Sequence, residues 1–251
     1  MASAGSLNLD DAEACLARAQ RHYRELAELT ATDKLWRFSE GRDRDTGEWF
    51  NRLHLDRRRL IEAKPVLADS ATNAISALNH VAAAIAKAKG HKRLRWLHYP
   101  LGLTDADFKK ACGETREALG DAMLGVLASA RETHSADVHH IEAARQISKD
   151  GKHWELRPAD GKPAAIQLVV PENGHKVFDL PADAFAVADT HEYYRGQEQL
   201  PKGDDLIVVN VLVAGLDDGL PDAADLILEC SFRFVRGVID AVAAAEAWRA
   251  H

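Results

Sequence analysis

Asp69, Asn73, Ser76 and His80 recur at intervals of three or four residues in the stretch Pro65 to Lys89, PVLADSATNAISALNHVAAAIAKAK. At about 100° per helical residue they fall within roughly 60° of one another, so four polar groups share one stripe. A second set, Lys152 and His153, stands just past Asp150-Gly151, where glycine closes a helix and the turn aims the residues that follow. Two imidazoles and an ammonium supply the base, the acid and the cation required when an RNA 2′-hydroxyl attacks the neighbouring phosphate without a metal. In that reading His80, His153 and Lys152 are catalytic, and Asp69 or Asn73 orients an imidazole. The other reading is a structural network. Asp69 is the one fully charged side chain between Pro65 and Ala86, which predicts a helix wrapped on most sides, and polar groups buried there must find partners.

Further residues invite chemistry of other kinds. Lys87, Lys89, Lys92, Arg93 and Arg95 run without an acid into Trp96-Leu97-His98-Tyr99-Pro100. Basic side chains beside aromatics can hold phosphates and stack on unpaired RNA bases; the same cations equally complement a helix C-terminus. Arg57-Arg58-Arg59 reads as a solvated helix start or a phosphate contact. His134, His139, His140 and Glu142 suggest a metal, but His139 and His140 are adjacent and diverge by about 100°, unlike the i, i+4 histidine pair of a zinc helix. The expectation is therefore no metal. No nucleotide-binding glycine loop, nucleophile elbow or redox cysteine pair is present, so no cofactor is expected either.

The stripe also resembles a pattern found in many uncharacterised bacterial proteins: a helix of the form GDxxHNLRSALDHL, an "FP"-type turn, then a loop of the form LSNIDKHR. The matching positions are Asp69, Asn73, Ser76-Ala77-Leu78, Asn79 and His80, then Tyr99-Pro100, then Ile147-Ser148 and Lys152-His153. In that family the arginine and histidine of the helix are similar to the signature of HEPN ribonuclease domains, helical bundles that cleave RNA without metal. Ile75 stands here in place of the arginine and Gly151 in place of an aspartate. The resemblance thus implies a HEPN-like bundle and a homodimer. It implies a degenerate, non-enzymatic binding module, with a metal-independent endoribonuclease acting on single-stranded RNA as the alternative.

The elements that must position these residues are legible in outline. Leu67, Ala71, Ala74, Ile75, Leu78, Val81, Ala82 and Ile85 form the apolar side of the central helix, which Pro65 is expected to open. Asn8 or Ser6 caps a first amphipathic helix bearing Leu9, Ala12, Leu16, Ala19, Tyr23, Leu26 and Leu29. Alternation on both sides of Asp45-Thr46-Gly47 predicts a β-hairpin from Lys34 to Leu55. Thr104, Asp121 and Asp137 each start a further helix. Between 154 and 215 the period changes: Ala165 to Val170, Lys176 to Leu180 and Asp205 to Ala214 predict a small antiparallel sheet, with a looser stretch from His191 to Gln199. Residues 222–249 fit both periods and are read as helix, with Gly237 as the weak point.

These elements predict an α+β fold, mainly a helical bundle with an N-terminal hairpin and a small sheet, forming one domain over 1–251. A net charge of −7 in 251 residues argues against bulk electrostatic binding of nucleic acid. Three scattered cysteines fit a reducing cytoplasm. Neither a secretory leader nor a run of membrane-spanning length is evident, so no membrane partner is expected.

Overall fold

The computed structural model describes residues 7–92, 94, 96–149, 155–158, 164–170, 174–181, 184–185, 187–201, 204–208 and 211–249. They separate into two compact units, neither of them one run of sequence: Met1–Arg24 with Val66–Trp154 and Gly215–His251, and Glu25–Pro65 with Glu155–Ala214. The fold is α+β and mainly helical, as the sequence predicts. Among the described residues no helix is long and apolar enough to cross a membrane.

The first unit is helical. It contains most of α1 (Asp10–Leu29) and of α3 (Arg57–Ala88), then α4 (Asp105–Leu119), α5 (Asp121–Thr133), a 3₁₀ turn (Ser135–Asp137), α6 (Val138–Lys149) and α7 (Ala224–Arg249). Asn8 starts α1, its side-chain oxygen accepting the Asp10 N–H at 2.7 Å. Thr104 and Asp107 form a reciprocal capping box at the start of α4. Leu16 and Ala19 of α1, Leu67, Ala71, Ala74, Leu78 and Val81 of α3, Ile141 of α6 and Phe234, Val235 and Val238 of α7 are all inaccessible or nearly so. Burying each Leu, Ile, Val or Phe contributes about 1.5–3 kcal/mol. Ser70 of α3 is buried too, its hydroxyl donating to the Ala19 carbonyl at 2.9 Å, which ties α3 to α1 by a satisfied polar contact. The helix expected from Asp222 is α7, and it passes through Gly237 unbroken.

Two expectations for α3 are corrected. The helix begins at Arg57, so Arg57-Arg58-Arg59 form its first turn and Pro65 lies inside it. An interior proline removes the bond to the carbonyl four residues back; that carbonyl belongs to Ile61, whose residue is 68% exposed, so water can replace the lost donor. Ile75, assigned to the buried side, is only half-buried, while Ala77 is fully enclosed. The apolar arc is rotated from the one drawn by periodicity because small alanines leave the packing direction weakly specified.

Among its described residues the second unit holds α2 (Thr32–Leu35) and eight strands: β1 (Trp36–Arg42), β2 (Trp49–Leu55), β3 (Glu155–Pro158), β4 (Ala164–Val170), β5 (Gly174–Leu180), β6 (Thr190–Gly196), β7 (Asp204–Val208) and β8 (Val211–Ala214). They pair antiparallel as β1-β2-β6, β3-β8 and β5-β4-β7. The expected hairpin is β1–β2, with Leu53 and Leu55 buried. Lys34 and Leu35, read as its start, belong instead to the short helix α2. His191 to Gln199 is also not loose. Most of it is β6, held on β2 with Glu192 opposite Arg52 and the two ion-paired at 3.1 Å. Asp205 to Ala214 is two strands in different sheets, not one.

Candidate functional site

The polar stripe of α3 is spent on local contacts. Asp69 is exposed, and the Asn73 amide donates to the Asp69 backbone carbonyl at 2.7 Å rather than to a ring. Ser76 is half-buried. His80 Nδ1 lies 3.9 Å from an Asp11 carboxylate oxygen at the start of α1, with 42% of the imidazole side chain open to solvent. Lys152 and His153 fall outside the described residues. Among the described members of the stripe, then, Asp69 and Asn73 meet through the backbone, and His80 pairs with a residue that sequence spacing does not nominate. Neighbouring Asn79 has the clearer structural role, since its side-chain oxygen accepts the Tyr99 N–H at 2.9 Å and so pins the Tyr99-Pro100 segment to α3.

The basic segment divides in the same way. Lys87 is exposed in the last turn of α3, where it complements the helix dipole. Gly90, at φ +89°, follows the helix in a conformation that favours glycine, and the His91 N–H returns to the Ala86 carbonyl at 3.0 Å. Lys89 Nζ reaches the Glu117 carbonyl at 3.3 Å, and Lys92 is exposed. Arg93 and Arg95 lie outside the described residues.

A denser constellation is built where the 3₁₀ turn enters α6 and faces α7. Asp137, with 7% of its side chain exposed, accepts a bond from Arg233 Nη2 on Oδ1 at 2.7 Å, while Oδ2 lies 3.6 Å from His134 Nδ1. The same guanidinium nitrogen is 2.9 Å from Cys230 Sγ, one turn earlier on α7. One donor atom each from Asp137, His140 and Cys230 lie within 4.8 Å of one another. His140 Nδ1 is buried and has no hydrogen-bond partner; the Ala136 carbonyl near the ring favours its protonated form without meeting Nδ1 in bonding geometry.

Burial sets the electrostatics of this cluster. It lowers the His140 pKa, against the smaller opposing effects of the Ala136 carbonyl and Asp137, so the ring stays neutral with a lone pair. Burial likewise pushes the Cys230 thiol up, partly offset by Arg233, so Cys230 by itself is a thiol and not an activated nucleophile. Arg233 is held more firmly in its charged form, first by its bond to Asp137. The fit of helix to helix is equally specific. A Cβ on Gly237 would collide with the His134 ring, so glycine is what lets that imidazole lie against α7.

Sequence spacing groups His134, His139, His140 and Glu142, where it leads to no metal, and passes over Asp137 and Cys230. His139 is exposed, and buried Glu142 turns to Arg145, accepting a bond from its Nε at 2.5 Å. Cys230 cannot be found by spacing, because it comes from a helix about ninety positions downstream of His140. Asp137 reads as a helix start, which it also is. Compared with protein-family models, with curated proteins and with solved structures, this chain matches none.

Proposed function

We propose that the chain is a non-enzymatic, HEPN-like helical binding module that works as a homodimer in the reducing cytoplasm. The observation that carries this reading is how the α3 stripe is used: Asn73 is committed to the Asp69 carbonyl, His80 faces Asp11, and half-buried Ile75 stands where the motif has its arginine. A ribonuclease site needs a cation for the developing phosphorane charge, and Ile75 offers none. The free thiols of Cys15, Cys112 and Cys230 suit a reducing compartment. The dimer rests on the resemblance alone. The α3 alanines Ala71, Ala74, Ala77 and Ala82 are buried within the chain and are not available for a two-fold contact, so pairing must use another face.

Incubation with single-stranded RNA in EDTA tests the reading, run beside thermal melts. We expect no cleavage above background. Cleavage lost in folded His80→Ala, Lys152→Ala and His153→Ala variants would replace the module by a metal-independent endoribonuclease. Light scattering should return about twice the 27.6 kDa chain mass; a monomer at high concentration would remove the homodimer.

A further inference from the structure

We propose that Asp137, His140 and Cys230 form a binding site for a thiophilic divalent cation of the zinc class, with Arg233 as its displaceable occupant. This is independent of the module's partners and of any ribonuclease activity.

Three observations converge. The donor set is one thiol, one imidazole and one carboxylate, the combination that selects zinc and its analogue cobalt over magnesium or calcium. The donors come from two packed elements, and their atoms already lie within 4.8 Å of one another. Zinc–ligand bonds of about 2.0–2.3 Å put tetrahedral ligand edges near 3.5 Å, so side-chain rotation of about 1 Å closes the set. The third observation is the orphan: His140 Nδ1 is buried without a partner. Buried polar atoms are rarely left so.

Arg233 explains how the anionic pocket is balanced without a metal. Its guanidinium nitrogen bridges Asp137 Oδ1 and Cys230 Sγ, supplying positive charge between two of the three donors. Yet 58% of its side chain is exposed, so it can swing into water without a large desolvation cost. His134, lodged against Gly237, lies 3.6 Å from the other Asp137 oxygen, the place where outer residues commonly orient a metal ligand. Binding converts the Cys230 thiol to a thiolate, releasing one proton to solvent, while Arg233 leaves still protonated. The fourth coordination position is left for water.

The test is a cobalt(II) titration of the full chain under a non-thiol reductant, followed by absorption. The expected result is a sulfur-to-cobalt charge-transfer band, erased by zinc(II), kept in the Cys15→Ser/Cys112→Ser double variant and lost in Cys230→Ser and Asp137→Asn chains that circular dichroism shows folded. Arg233→Gln should reach half-saturation at roughly tenfold lower cobalt, because a competing cation has been removed. Should Cys230→Ser fail to fold, the exposed Arg233→Gln change carries the test alone. No band in the wild-type chain, a band that survives Cys230→Ser, or unchanged affinity in Arg233→Gln would each overturn the proposal.

Discussion

The imidazole of His134 occupies the space where a Cβ on Gly237 would lie, so the glycine at the middle of α7 is a slot for a ring on the opposing chain segment. Gly-to-Ala changes inside helices usually stabilise by about 1 kcal/mol. At Gly237 the sign should reverse, because the ring must be expelled from its place beside Asp137. Denaturant melts should show Gly237→Ala destabilised, and Gly237→Ala combined with His134→Ala should recover much of the loss. Additive effects in that double-mutant cycle would show that the contact does not couple the two positions.

Tyr99 reverses a second rule. Its hydroxyl is buried without a hydrogen-bond partner, and burial, then the nearby Cys112, raises its pKa far above the ordinary tyrosine value. Removing an unsatisfied buried group costs nothing in lost bonds. Tyr99→Phe should therefore leave stability unchanged or raise it by about 1 kcal/mol, keeping the edge contact with Phe234. Asn79→Ala should instead lower it by about 1 kcal/mol, since the Tyr99 N–H loses its acceptor. Thermal melts of the two variants check both signs.

On α3, Leu78→Ala should cost about 2–5 kcal/mol, because Leu78 is wholly inaccessible. Ile75→Ala should cost distinctly less, as its side chain is only half-buried. Equal losses in chemical unfolding would contradict the packing direction of the helix.

Arg236 makes a two-pronged contact with Glu13 and, chiefly through that bond, lowers the Glu13 pKa below its ordinary value near 4.5. A depressed folded-state pKa means that the stabilisation is present above the unfolded value and is lost as pH falls through the folded one. Wild type should thus exceed Glu13→Gln in stability near neutral pH by less than about 1 kcal/mol, both groups being substantially exposed. The gap should close below the ordinary value near 4.5; a gap that widened in acid would refute the assignment.

How much of the molecule is legible in the sequence depends on range. Helix starts at Asn8 and Thr104 and the β1–β2 hairpin are local signals, written within a few residues, and each can be read directly. Pro65 misleads because a proline at a helix start and one inside an exposed turn look alike until the solvent side of Ile61 is known. Strand β6 escapes notice because its partner Arg52 lies 140 residues away, and nothing near Glu192 announces that pairing. The Asp137–His140–Cys230 cluster is hidden for the same reason. The α3 stripe, by contrast, is visible as a face, but which groups it meets, Asp11 for His80 and the Asp69 carbonyl for Asn73, depends on rotamers and neighbours that periodicity does not encode.

The interleaving of the two units also sets an order of events on the ribosome. Tyr23 waits for Glu229, its hydroxyl's acceptor at 2.5 Å, and Glu13 waits for Arg236, so the first helix emerges more than two hundred residues before the helix that completes its surroundings. The β1–β2 hairpin likewise keeps a bare strand edge until residues 190–196 are synthesised. The strand-bearing unit ends at Ala214 and can close first, whereas the unit that holds the first helix waits for α7, the reverse of the usual N-terminal-first order. The nascent chain therefore carries the α7-facing side of its first helix uncovered and a sheet edge open through most of its translation, and yields of soluble protein should respond to chaperone supply and elongation rate more than the stability of the finished fold would suggest.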